Sequence, residues 1–430
     1  MEQMKTLARF QIRKSDASVD RALRGLALEA YRFVPYYQQL FTSAKISPSD
    51  IQSSGSLGIL PITHRKSLAT PPQLRFLNEN ASPNRLCASH TSGSTGSPTT
   101  IFLSPAERNY RRLLLFRAMR ARFPRFLPRH IVDVGQATTT GSPLPPIDFG
   151  PFHLARIPGN LPLSEQVCLY KASMPDLLEG YAGCLELLAH ALKEDGRPYP
   201  KPLYVMSRGE TLLDHARTLL ENVFDCPVAD FYNAEEIGNI AWECQNRRGI
   251  FHVNTDACIL ELLDDQDRPV PPGIEARVIV TNLYNRTMPL LRYDTGDYAA
   301  WDSSQAFHCS CGARTPTLSA IHGRSDDFIT LPDGHRVSPL VVLTTALNGC
   351  TQIDTDGTYA DQVRQFQVIQ EHVGKITVRV VPGLFLPRNL QEQVACEFSK
   401  LHRDLVVRID VVDEIPLEAS GKLKRIISRI

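Results

Sequence analysis

Between residues 131 and 224, short apolar runs alternate with segments of helical period, and that alternation constrains the fold more than any other feature of the chain. Ile131-Val132-Asp133-Val134-Gly135 and Pro202-Leu203-Tyr204-Val205-Met206 have the composition of buried strands, the first closing on a glycine. Leu177–Lys193 repeats apolar residues at helical spacing, and Asp214–Phe224 does so after Ser207-Arg208-Gly209-Glu210. Strands that alternate with helices build a mostly parallel sheet covered on both faces. Such sheets bind ligands at the carboxyl ends of their strands, so function is to be sought in the loops that follow them. The expected class is α/β.

Other segments fill in the organisation. Asp20–Phe41 reads as an N-terminal helix ending near Pro35, and residues 42–85 as Pro- and Ser-rich connections with short helices. Arg85–His90 and Thr99–Leu103 read as strands, and Glu107–Arg122 as a helix whose Arg108, Arg111, Arg112, Arg117 and Arg120 form a solvated face. From Ile259 to Val280 short alternating strands, split by Pro269–Gly273, suggest an antiparallel or barrel-like part. Beyond Gly323, strands at 365–369 and 375–381, a helix near Leu390–Leu401 and a strand at 405–409 make a small β-β-α-β domain. The 430 residues suffice for two or three domains of ~150 residues each.

Charge and composition exclude several classes. The 47 Lys+Arg and 46 Asp+Glu leave a net charge of +1, which gives no field to draw nucleic acid or an anionic membrane. No apolar run follows Met1-Glu2-Gln3-Met4-Lys5, and no stretch approaches the ~20 apolar residues of a spanning helix, so a cytoplasmic location is expected. The ten cysteines are scattered, which suits reduced thiols with metal binding as the exception to look for.

Five motifs carry chemistry. Thr91-Ser92-Gly93-Ser94-Thr95-Gly96-Ser97-Pro98 offers backbone N–H groups and hydroxyls in the manner of a polyphosphate cradle, although an ordinary surface loop has the same composition. It lacks the G-x-x-x-x-G-K-[ST] of a Walker loop. In Asp230-Phe231-Tyr232-Asn233-Ala234-Glu235-Glu236-Ile237-Gly238, Tyr232 presents a flat face for a base and Glu236 a hard oxygen for Mg²⁺; a buried tyrosine beside a solvated acidic pair is the plainer reading. Tyr293-Asp294-Thr295-Gly296-Asp297 places a carboxylate after a glycine turn at a strand end, where it can accept from both ribose hydroxyls or form an Asx turn. Gly323-Arg324-Ser325-Asp326-Asp327 marks a hinge or a polar linker. Ser420-Gly421-Lys422-Leu423-Lys424-Arg425 presents a lysine on a glycine loop, or is a basic tail.

In this order the five motifs resemble the adenylate-forming superfamily of acyl-CoA synthetases, most of all its compact phenylacetate–CoA ligase branch, over nearly the whole chain. The chain departs from the family pattern at Ser97, where a lysine is common, at Asn233, where glycine is usual, and in the extra Glu235. The resemblance implies a large N-terminal adenylation domain, residues 1–324, with mixed parallel sheets and a barrel-like part, and a small mobile α+β lid, residues 325–430, that carries Lys422 and pivots at Asp326. It implies ATP, Mg²⁺ and coenzyme A as cofactors. Thr91, Ser92, Gly93, Ser94, Thr95 and Gly96 would hold the β/γ-phosphates, and Glu236 would place Mg²⁺. Gly209, Glu210, Asp230, Phe231 and Tyr232 would frame adenine, and Asp297 and Arg324 would bind ribose. Lys422 and Glu236 would serve catalysis, and Gly135, Gln136 and Ser207 the acyl pocket, joined by Thr138–Gly141 and residues 143–146. The substrate class implied is an aromatic acid such as phenylacetate, benzoate or anthranilate. The thiol is that of coenzyme A or of a carrier protein, an amine is the other acceptor, and a homodimer is the assembly to test.

A further set is Cys244, His252, Cys309 and Cys311. Three thiols and an imidazole are a closed zinc set, while buried inert cysteines are the alternative. The compact branch carries similar clusters, which adds structural Zn²⁺ to the expected cofactors.

Overall fold

The computed structural model describes residues 16–70, 73–90, 99–123, 127–137, 144–304, 309–351 and 362–430. The motif at 91–98 expected to cradle phosphates and, of the pocket candidates, Thr138–Gly141 and residue 143 lie outside them, while residues 144–146 open the strand Leu144–Phe149. The chain divides into two compact units: residues up to Leu127 with Phe231–Ala320, and Pro128–Asp230 with Ile321–Ile430.

In the first unit the expected N-terminal helix is two helices, Asp16–Phe33 and Pro35–Ala44. Pro35 occupies the first turn of the second, where its missing N–H costs nothing, so it opens a helix as well as ending one. Leu23, Leu26, Val34, Tyr37 and Phe41 are fully buried. Five short helical turns carry the chain to residue 85. Cys87–His90 and Thr100–Leu103 then pair antiparallel, with His90 opposite Thr100. The region read as one arginine-rich helix is Pro105–Leu114 and Phe116–Arg122, opened by a Ser104/Glu107 capping box. Arg108 is exposed as expected, but Arg111 and Arg117 do not belong to a solvated face. Arg117 donates to both carboxylate oxygens of Asp256 at 2.6 Å and to Asn254 at 2.8 Å, and Arg111 donates to the Glu235 carbonyl at 2.7 Å. The acidic partners lie over a hundred residues downstream, so the local pattern did not disclose them.

The later part of this unit is an array of strands. Cys258–Leu263 pairs antiparallel with Ala276–Asn282, which pairs antiparallel with Tyr293–Trp301; Gly238–Cys244 pairs antiparallel with Arg247–Val253. The expected antiparallel part at 259–280 is therefore present.

In the second unit, Tyr204–Arg208, Leu177–Tyr181, His130–Gly135 and Phe152–Pro158 lie side by side in parallel, with Leu144–Phe149 antiparallel at the edge. Helices Leu163–Ser173, Ala182–Asp195 and Asp214–Phe224 bury their apolar faces against this sheet, through Tyr170, Leu185, Leu188, Leu220 and Phe224 among others. Leu177–Tyr181 corrects the reading of a helix from residue 177. Its Leu177 and Leu178 are buried and paired on both sides, so tertiary pairing overrides a helical period that is genuine only from Ala182. The small C-terminal domain holds Val363–His372 and Lys375–Pro382 antiparallel, flanked by Val406–Val411 and Ile426–Ser428 in parallel, with helices Pro339–Cys350 and Leu390–Ser399. The fold class is α/β as expected. Among the described residues no helix is long and apolar enough to cross a membrane.

Replacing Arg117 by methionine would keep the stem and strand the Asp256 carboxylate. Removing one partner of such a pair costs on the order of 3 kcal/mol, so the denaturation midpoint should fall with an unchanged slope. A midpoint within error of the parent's would show that the pair contributes little.

Candidate active site

The first unit joins two of the sequence motifs through hydrogen bonds. Tyr232, on the strand Val228–Ala234, is buried and donates its hydroxyl to Asp297 Oδ2 at 2.8 Å. Burial raises the Tyr232 pKa well above the usual phenol range, and the neighbouring Asp297 raises it further, so the phenol stays a donor. Asp297 does not end a strand, as expected, but sits within Tyr293–Trp301. Gly296, with φ +76°, and a register shift opposite it re-aim the chain there. Glu236 is buried and accepts from Tyr293 Oη at 3.1 Å. Its neighbour Glu235 accepts from Ser89 and pairs with Arg111 at 3.0 Å. The residue that departs from the family pattern thus ties the strand leading into residues 91–98 to the turn that carries Glu236. Asp230 and Phe231 lie on the same strand as Tyr232, the first half-buried and the second buried.

The second unit gathers the other group at the carboxyl ends of its parallel strands. The loop Glu418–Lys422 closes on itself, Gly421 N–H to Glu418 O and Glu418 N–H to Lys422 O, both 2.8 Å. Ala137 N–H donates to Ser420 O at 3.3 Å, and Cys184 Sγ lies 3.1 Å from Gly421 O. A Cβ on Gly421 would come within 1.9 Å of the Gly135 carbonyl oxygen, and its φ is +87°. Lys422 Nζ stands 5.2 Å from the ring centroid of Tyr181, and its Cε would touch a side chain at Gly209. Glu210 accepts from Gly183 N–H at 2.7 Å and Leu423 N–H at 2.6 Å. Burial raises the Glu210 pKa, opposed by those amides and by Arg425 and Lys422.

Gly135, Gly209, Glu210 and Lys422 are therefore brought together. Ser207 is buried on Tyr204–Arg208, and its Oγ has no hydrogen-bond partner among the described residues; Gln136 is exposed. Arg324 ends the strand Thr317–Arg324 and precedes the turn Ser325–Asp327. Asp326 is exposed. Burial pushes the Asp327 carboxyl up to about 6, against the opposing pull of Lys424 at 3.9 Å. Three features escaped the sequence reading: Tyr181 beneath Lys422, the Arg208–Asp133 pair at 2.6 Å, and Glu186 inside an apolar helix. A lone carboxylate within Cys184–Leu192 was the available signal for the last.

The Cys/His set also converges. One ligand atom from each of Cys244, His252, Cys309 and Cys311 lies within 4.8 Å of all the others; Cys244 Sγ and Cys309 Sγ are 3.4 Å apart, and Cys311 Sγ and His252 Nε2 3.2 Å. Burial holds the His252 pKa down to about 4, so its imidazole is neutral and can ligate. Three thiols and one imidazole at these separations fit a tetrahedral ion, which would draw the thiols to thiolates.

Residues 350–429 match the family model of the CapK C-terminal domain. A phenylacetate–coenzyme A ligase of Thermus thermophilus is 24% identical over 341 residues, covering 76% of this chain and 74% of that protein. Protein CapK of Staphylococcus aureus is 24% identical over 259 residues, covering 60% of this chain and 53% of that protein. The crystal structure of 2-hydroxyisobutyryl-CoA ligase in the postadenylation state, in complex with R3-HIB-AMP, superposes with a TM-score of 0.76 over 96% of this chain and 89% of that one, at 16% identity. That likeness establishes the fold.

Gly421→Ala would force both a left-handed backbone and a collision. Backbone strain alone costs about 1–3 kcal/mol. Gly249, with φ +74° and nothing within 4 Å of an added Cβ, supplies the control. Gly421→Ala should lower the thermal midpoint more than Gly249→Ala; equal losses would show that the loop does not approach the strand ends so closely in solution.

Proposed function

We infer, from this chain's similarity to phenylacetate–coenzyme A ligases and from its fold, that it is an AMP-forming acid–thiol ligase of the adenylate-forming superfamily. The observation that carries the reading is the seating of the Lys422 loop at the carboxyl ends of parallel strands, against Gly135, Tyr181 and Gly209. Loops at that end of a parallel sheet are where such folds bind ligands. A lysine there supplies a point charge on a flexible stem.

A carboxylate is a poor acyl donor because its leaving group is poor. In the first half-reaction a carboxylate oxygen attacks the α-phosphorus of ATP, the α–β bridging bond breaks, and acyl-AMP and pyrophosphate form. Charge gathers on phosphoryl oxygens, so positioning and fixed charge do most of the catalysis. Lys422 is assigned to the carboxylate and α-phosphoryl oxygens. Residues 91–96 are assigned to the outer phosphates, Tyr232, Gly209, Glu210, Asp230 and Phe231 to adenine, and Asp297 and Arg324 to ribose. Magnesium beside the phosphates would offset their charge, and Glu236 is the carboxylate assigned to hold it. In the second half-reaction a thiol sulfur attacks the acyl carbon, the thiol proton is lost and AMP leaves. The small domain, residues 325–430, is assigned a rotation about Asp326 between the two steps, which also keeps water from the anhydride.

The acid is assigned to the aromatic class, phenylacetate, benzoate or anthranilate, with Gly135, Gln136 and Ser207 lining its pocket. Coenzyme A is the first choice of acceptor. A carrier-protein thiol or an amine is the second. Acid-dependent ATP–pyrophosphate exchange over aromatic, aliphatic and amino acids tests the reading, followed by product assay with each acceptor. No exchange with any acid would end it.

Lys422→Ala should lower exchange by about 10²-fold or more, the scale of one preorganised donor, and spare thioester formation from supplied acyl-AMP. Unchanged exchange would remove Lys422 from its role. The Cys244/His252/Cys309/Cys311 set is assigned a structural zinc. Metal analysis of purified protein should find about one zinc per chain, lost together with thermal stability in a Cys309→Ala/Cys311→Ala variant. A trace well below stoichiometry would refute it.

A further inference from the structure

Arg425 follows Lys422 by three residues, and the function proposed above gives it no task. It is 6% exposed, so its charge is almost wholly removed from water. Its Nη2 pairs with Glu186 Oε2, and Glu186, on the helix Ala182–Asp195, is 0% exposed. The other Glu186 oxygen, Oε1, lies 2.7 Å from His215 Nε2, on the helix Asp214–Phe224. Burial pushes the Glu186 pKa up, but Arg425 and His215 outweigh it and hold the carboxyl at about 2. The Arg425 guanidinium also lies 5.4 Å from the ring centroid of Phe366, a core residue of the C-terminal domain. Its carbonyl accepts from Val368 N–H at 2.8 Å.

The chain that follows Lys422 is thus fixed at two points, to the loop after the strand Tyr204–Arg208 and to the helix Ala182–Asp195. Leu423 N–H is held by Glu210 and Arg425 by Glu186, while the Lys422 side chain reaches over Tyr181. A desolvated ion pair adds little net stability compared with an apolar pair of the same shape, but it tolerates few geometries. Its value here is directional.

We propose that Arg425 and Glu186 form a positioning latch that aims Lys422 in the adenylation step, with His215 orienting the Glu186 carboxylate. The proposal rests on the role given to Lys422 above. The latch touches no reacting atom. It acts on where the lysine stands, and a displacement of about 1 Å in such a group can cost about 10²-fold in rate. It belongs to the first half-reaction alone, because rotation of the small domain for thioester formation would take Arg425 out of the pair.

The test compares Arg425→Gln with the double variant Glu186→Gln/Arg425→Gln. The single variant strands a buried carboxylate and can fail to fold; the double variant removes both charges, leaves no stranded carboxylate and carries the test. The expected result for the double variant is a loss of about 10- to 100-fold in kcat for ATP–pyrophosphate exchange. Thioester formation from supplied acyl-AMP should stay within about twofold, and Arg425→Lys should recover part of the exchange. Trypsin should also cut faster after Lys422 or Lys424 in the double variant, read by mass spectrometry. Exchange within twofold of the parent overturns the latch, as does an equal fall in both half-reactions. If the parent exchanges with no acid, the ligase reading fails by itself. The latch's role in adenylation falls with it, and the proteolysis then shows only whether the pair holds the Lys422 segment in place.

Discussion

One close approach of backbone to backbone organises the second unit: Gly421 lies so near the Gly135 carbonyl that no side chain fits between them. A parallel sheet directs the ends of several strands to one edge, and the loops there compete for the same space. Only a residue without Cβ can enter that edge in a left-handed conformation. Once Gly421 is placed, the positions of its neighbours follow. Ser420 presents its carbonyl to Ala137, Leu423 its N–H to Glu210, and Lys422 extends over Tyr181.

The first unit solves a related problem with buried polar groups. Tyr232 and Tyr293 each donate to one carboxylate, Asp297 and Glu236, in surroundings where an unpaired oxygen would be costly. Both phenols stay protonated because burial opposes their ionisation. Arg111 and Ser89 then converge on Glu235, so the turn carrying the acidic pair is held from two distant segments. Such a network specifies one arrangement of strands more strictly than apolar contact alone could.

Much of this was legible in the residues. Asp214–Phe224 announced its helix to the residue, and the strand pairs around the Ser/Gly motif and in the C-terminal domain lay within a few positions of their observed ends. Local period sufficed there because each element buries one face. It failed at Leu177, where a strand buried on both sides borrows its apolar residues from the start of a helical pattern. It failed again at Arg111 and Arg117, whose partners Glu235 and Asp256 are remote in sequence. The candidate site was legible only as motifs; the structure brings Gly135, Gly209, Glu210 and Lys422 together, which is a juxtaposition and not a test of their roles. Glu186 and His215 were not legible, since nothing in a helical period says which charged residue will be enclosed and by what.

The antiparallel pairing of His90 with Thr100 has a consequence for molecular recognition. The two chain ends that flank the serine- and glycine-rich motif are brought face to face by folding itself. Were that motif the phosphate cradle proposed above, its loop-closure entropy would be lost on folding and would not subtract from the affinity for the guest. Lengthening the intervening segment would raise that entropic cost only logarithmically, whereas unpairing the flanking strands would transfer the whole of it to the binding step.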